Sequence, residues 1–121
     1  MSKLRKICMA LPLANEETAW VGTRWCIRGK NFAHVIMIMD GHPPNYAKAA
    51  NTIGPQCILT FRSDIAEYDA SVFQADPYFK PVWFRTIAGL KLDNKTNWSA
   101  VQLHIEASYR LLANMPRHTA S

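Results

Sequence analysis

Residues 32–39 read Phe-Ala-His-Val-Ile-Met-Ile-Met, an apolar run interrupted only by one histidine. Successive side chains of a strand point to opposite faces, so a run apolar at both parities asks for cover on both sides. The fold must therefore place layers above and below this strand. Just before it, residues 23–28 alternate: Trp25 and Ile27 fall on one side, Arg24, Cys26 and Arg28 on the other. Between the two segments lies Arg28-Gly29-Lys30-Asn31. Gly29 at the first central position suits a two-residue type II′ turn, which predicts a β-hairpin with a basic tip.

The flanking pattern supplies the covering layers. Leu4, Ile7, Cys8 and Leu11 form the i, i+3, i+4, i+7 stripe of an amphipathic helix that Pro12 ends, with Lys3, Arg5 and Lys6 off the stripe. Glu16 and Glu17 fall in a connector, as a solvated pair. Asp40-Gly41 opens a long connection containing Pro43-Pro44 and Gly54-Pro55, with one helical turn at 46–50. A third strand is predicted at 57–61, closed by Arg62 and Ser63. Asp64 with Glu67 fits a capping box, Asp replacing the usual Ser or Thr, for a short helix with the apolar stripe Ile65, Tyr68, Val72. Asp76-Pro77 breaks it. The aromatic segment 78–84 reads as strand or packed loop, and 87–92 as a strand with Lys91 outward. Asn97 caps a last helix whose buried face is Trp98, Val101, Ile105, Tyr109 and Leu112, and Pro116 stops it. This order predicts one α+β domain over residues 1–121, with N- and C-terminal helices packed on an antiparallel sheet.

Composition narrows the function classes. A chain of 121 residues, 49% hydrophobic and only 19% charged, fills one core and is not disordered. Lys and Arg number 14 against nine Asp and Glu, a net charge of +5, which favours an anionic partner such as nucleic acid or a phosphate-bearing ligand. The odd count of Cys8, Cys26 and Cys57 points to free, mostly buried thiols in a reducing compartment. No apolar run approaches the ~20 residues of a membrane span. The basic N-terminus is too charged, and its apolar stretch too short, for a signal peptide. The expectation is a cytoplasmic protein with no membrane partner; the oligomeric state is open.

Leu11-Pro12, the stretch Trp25-Cys26-Ile27-Arg28-Gly29-Lys30-Asn31-Phe32-Ala33, and His42-Pro43-Pro44-Asn45-Tyr46-Ala47-Lys48-Ala49-Ala50 running on to Leu59-Thr60-Phe61-Arg62-Ser63 resemble the MmcQ/YjbR family. So do Gly89-Leu90-Lys91-Leu92-Asp93, Asn97-Trp98, and Ser108-Tyr109-Arg110-Leu111-Leu112-Ala113. The resemblance spans residues 4–116 and rests on the order and spacing of the pieces. It implies a frataxin-like (CyaY-like) fold and DNA binding through a double wing of two β-hairpins, with no established catalytic set. Where the family places an acidic residue before the tryptophan that opens the last helix, this chain has Asn97. Frataxin-like folds also suggest iron, but the first helix here carries Lys3, Arg5 and Lys6 where hard cations would need carboxylates.

The sequence offers two sites. The first is a nucleic-acid surface with phosphate contacts at Arg24, Arg28, Lys30, Arg62, Lys80 and Arg85, and Trp83 and Phe84 as stacking surfaces. It makes the chain a non-enzymatic protein with weak, charge-driven DNA binding. The alternative is a small-anion or protein-partner module built on the 42–62 loop and strand, using His42, Tyr46, Lys48, Thr60 and Arg62. No metal or cofactor is expected, since His34, His42, His104 and His118 are scattered and His34 reads as a hydrogen-bonded core histidine. Catalysis is not expected either. Cys26, near Arg24 and Arg28, is the least implausible nucleophile, but no base is linked to it.

Overall fold

The computed structural model describes residues 2–114, apart from the Glu67 side chain. The fold is α+β. Six antiparallel strands form one sheet: β1 (Asn15–Thr18), β2 (Thr23–Ile27), β3 (Lys30–Ile38), β4 (Gln56–Arg62), β5 (Tyr78–Phe79) and β6 (Ile87–Leu92), in the order β1-β2-β3-β4-β6-β5. The helices are α1 (Ser2–Met9), α2 (Pro44–Ala50), α3 (Asp64–Tyr68) and α4 (Trp98–Ala113), with a 3₁₀ turn at Ala70–Phe73. No helix among the described residues is long and apolar enough to cross a membrane.

The apolar run lies between two layers from Phe32 to Ile36 and at Ile38, while Met37 and Met39 at its end are exposed. Ala33 and Val35 of β3 point with Trp25, Leu59, Phe61, Ala88 and Leu90 into the main core under α1 and α4. Ile36 and Ile38 point the other way, with Ile58, against Ala47 and Ala50 of α2 and Phe79. Phe79 sits opposite Gly89, where a Cβ would fall 2.2 Å from the Phe79 ring. Only glycine lets the ring lie flat against the outer face of β6.

The hairpin tip differs from expectation. Ile27 pairs with Lys30, so the turn residues are Arg28 (φ 53°) and Gly29 (φ 76°). Positive φ at both central residues defines a type I′ turn one residue earlier than the sequence suggested. Farther along, Cys26 opposes Asn31 while Trp25 opposes Ala33, which leaves Phe32 as an extra residue on β3. This β-bulge puts Phe32 and Ala33 on the same side, both buried in the main core.

Three other expectations are corrected. Glu16 and Glu17 are not in a connector but in β1. Glu16 takes Arg5 at 2.7 Å and the Trp25 indole N–H at 3.0 Å, and Glu17 takes Arg24 at 2.9 Å. Hydrogen bonding from Arg5 is the largest cause holding the Glu16 carboxyl below its usual range. The N-cap of α3 is Ser63, not Asp64, and its side chain makes no capping bond. Ile65, Tyr68 and Val72 are all exposed, and Ala66 and Phe73 are the residues that reach the core. Asn97 does cap α4, its Oδ1 accepting the Ala100 N–H at 3.1 Å. Pro116 and His118 lie outside the described residues.

Candidate nucleic-acid interface

Register decides which of the six proposed cations meet. β3 begins at Lys30 and β4 ends at Arg62, and Ala33 stands opposite Phe61, so these two ends coincide. β6 begins at the same end, with Ile87 opposite Arg62. The turn residue Arg28, then Lys30, Arg62 and Arg85 therefore converge on one end of the sheet. Adjacent strands lie about 4.8 Å apart, so β3, β4 and β6 span roughly 10 Å there.

Arg62 is fixed by its neighbours. Its Nη1 donates to Thr86 Oγ1 at 3.2 Å, and its guanidinium lies 4.3 Å from the centroid of the Phe84 ring. Partial burial lowers its pKa slightly below the ordinary arginine value. A guanidinium over a ring keeps its remaining N–H groups free for an oxygen acceptor. Phe84 is 45% exposed and Trp83 40%. Trp83 packs edge-on against Tyr46 at 5.1 Å, and Tyr46 edge-on against His34 at 6.2 Å. A line of rings thus crosses the outer face from β3 to the cationic end.

The other two cations are occupied. Arg24 lies mid-sheet opposite His34 and is ion-paired to Glu17. Lys80 donates to the Pro81 carbonyl at 2.7 Å and the Phe84 carbonyl at 2.8 Å, and its pKa is lowered by desolvation. Its ammonium ties down the loop that presents Phe84.

The alternative set is not gathered. Thr60 is buried beside His34 on the outer face, with Tyr46 against that histidine and Arg62 two residues on. His42 sits in a tight turn with Met39 at the far end of β3, and Lys48 is exposed on α2. His34 Nε2 lies 2.6 Å from the Val21 carbonyl, and burial holds its pKa below the usual value.

The cysteines are poor nucleophiles. Burial pushes the Cys8 thiol up to about 12 and raises Cys26 and Cys57, so they stay protonated at neutral pH. Among the described residues no three His, Cys, Asp or Glu side chains gather in a way that could hold a metal ion. Sequence reasoning missed the pairing of Tyr78 with His104 at 2.7 Å, which joins an aromatic segment to a helix 26 residues away. Comparison with protein-family models and with curated proteins finds no match.

Proposed function

We propose that this protein is a non-enzymatic binder of single-stranded nucleic acid. Backbone phosphates meet Arg28, Lys30, Arg62 and Arg85, and unpaired bases stack on Phe84 and Trp83. The observation that carries this reading is the Arg62 guanidinium over the 45% exposed Phe84 ring, at the end of the sheet where the segments bearing Arg28, Lys30 and Arg85 also begin or turn. A surface that offers cations and an exposed aromatic ring suits a flexible strand, whose bases can leave one another to stack on protein. The net charge of +5 acts in the same direction. The resemblance to the MmcQ/YjbR family, whose members carry a DNA-binding label, is consistent with it. Free thiols fit a reducing compartment, where nucleic acid is found.

The test is fluorescence anisotropy of a labelled single-stranded oligonucleotide and its duplex, at several salt concentrations. Four phosphate contacts on a single strand predict a log–log salt slope of about −3. Arg28→Ala/Lys30→Ala should weaken binding and bring that slope to about −1.5. Phe84→Ala should weaken binding with little change in slope, because stacking releases no counterions. No binding at low salt, or equal binding by the double variant, would overturn the proposal.

A further inference from the structure

On the side of the sheet covered by α1 and α4, α4 and the α3–3₁₀ segment leave between them a cavity of about 730 Å³. That lies within the roughly 300–1,000 Å³ of small-molecule sites. Its floor consists of four rings that hold one another. Phe61 stacks on His104 at 4.8 Å with 19° between planes, Phe73 meets Phe61 edge-on at 6.0 Å, and Tyr78 meets His104 edge-on at 5.4 Å. Rings locked in this way are formed before any ligand arrives, so little ordering cost falls on binding.

The walls are apolar but not covered. Ile65 is 52% exposed and Val72 51%, while Phe61 and Phe73 beneath them are buried. A few polar groups converge on this apolar space. The Tyr78 hydroxyl lies 2.7 Å from His104 Nε2. If the hydroxyl donates, His104 Nδ1–H remains a donor; if Nε2–H donates, the hydroxyl hydrogen remains. Burial keeps His104 below its usual pKa, hence neutral at pH 7. Arg110, exposed in the last turn of α4, also lines the cavity and takes part in none of the ion pairs among the described residues. His104 and Arg110 are six residues apart, about 9 Å along the helix. Asp64 lines the opposite side and would repel a second negative charge.

We propose that this cavity binds a small aromatic monoanion of about two rings, its ring system lying on Phe61, Phe73, Tyr78 and His104 and its acid group reaching Arg110. Arg62 also borders this cavity, but Arg28, Lys30 and Arg85 do not line it, so the two sites share one residue at most and the cavity does not depend on nucleic-acid binding.

Anilinonaphthalene sulfonate, which carries two aromatic units and one sulfonate, is a suitable probe. Titration followed by fluorescence and calorimetry should show one saturable site on the folded protein. Val72→Trp fills the cavity from an exposed position and should weaken binding at least about tenfold. Ile65→Trp on the other wall should do the same if the Val72 variant melts early. Arg110→Glu should weaken binding by at least about threefold, as losing an exposed ion pair predicts. The uncharged phenylnaphthylamine should bind more weakly by a similar factor, and Arg28→Ala/Lys30→Ala should titrate like the native chain. Absence of saturable binding, native-like titration of both the wall and Arg110 variants, or equal affinity for the uncharged analogue would each overturn the proposal.

Discussion

Ser108 of α4 donates its hydroxyl hydrogen to the Phe32 carbonyl at 2.7 Å, joining a helix to a strand 76 residues earlier. The same oxygen accepts the Arg62 N–H at 2.9 Å. Phe32 is the bulged residue of β3, and Arg62 lies one step past the last β3–β4 pair, Ala33 with Phe61. The hydroxyl therefore satisfies two backbone groups where the ladder gives out. Ser108→Ala should leave both unpaired in a fully buried place and cost about 1–3 kcal/mol, read as a lower urea midpoint with unchanged slope. A midpoint equal to that of the native chain would show that neither bond matters to stability.

Gly89 carries the Phe79 ring on its bare backbone. Gly89→Ala should displace the ring and destabilise by about 1–3 kcal/mol, as other overpacked sites do. Adding Phe79→Leu, which removes the obstructing ring atoms, should recover part of that loss. Thermal melts of the single and double variants check the coupling.

Acid should weaken the fold before any carboxylate titrates. Desolvation holds both His34 and His104 below the ordinary 6.5. Between the lowered values and 6.5 the unfolded chain binds more protons than the folded one, so stability rises with pH across that window. The contribution is complete above about pH 6.5 and is lost as pH falls through the folded values. Melting temperatures at about pH 7.5 and about pH 5.5 should show a drop that shrinks in His104→Gln.

Thiol chemistry should report unfolding. Cys8 and Cys26 are buried, and burial raises the pKa of all three thiols. An aromatic disulfide reagent should label the half-buried Cys57 first and the other two only slowly, with rapid reaction of all three in denaturant. Fast labelling of Cys8 in the native protein would contradict its burial on the inner face of α1 in the main core.

Much of the fold was legible because the apolar spacing is strong. Leu4 and Cys8, the alternation at Trp25 and Ile27, and Val101, Ile105 and Leu112 all lie buried as their periods suggest. What escaped depends on contacts distant in sequence. The turn moved onto Arg28 and Gly29 because strand register follows the core faces, and the Phe32 bulge then restores the phase. Glu16 read as connector because its partners Arg5 and Trp25 lie 11 and nine residues away. The stripe Ile65, Tyr68, Val72 has helical spacing, but α3 ends at Tyr68, and Ile65 and Val72 border an open cavity. Among the candidate cations, residue type alone could not separate Arg28 and Arg85 from Arg24 and Lys80, which ion pairing and carbonyl contacts occupy.

The two outermost strands decide how other molecules can approach. β1 is four residues long and carries two carboxylates, and β5 is two residues long. Short or charged borders offer little template for another strand, so neither side invites sheet extension or fibre growth. A guest must instead arrive over a face or at a tip, where it can enter and leave without breaking a backbone ladder.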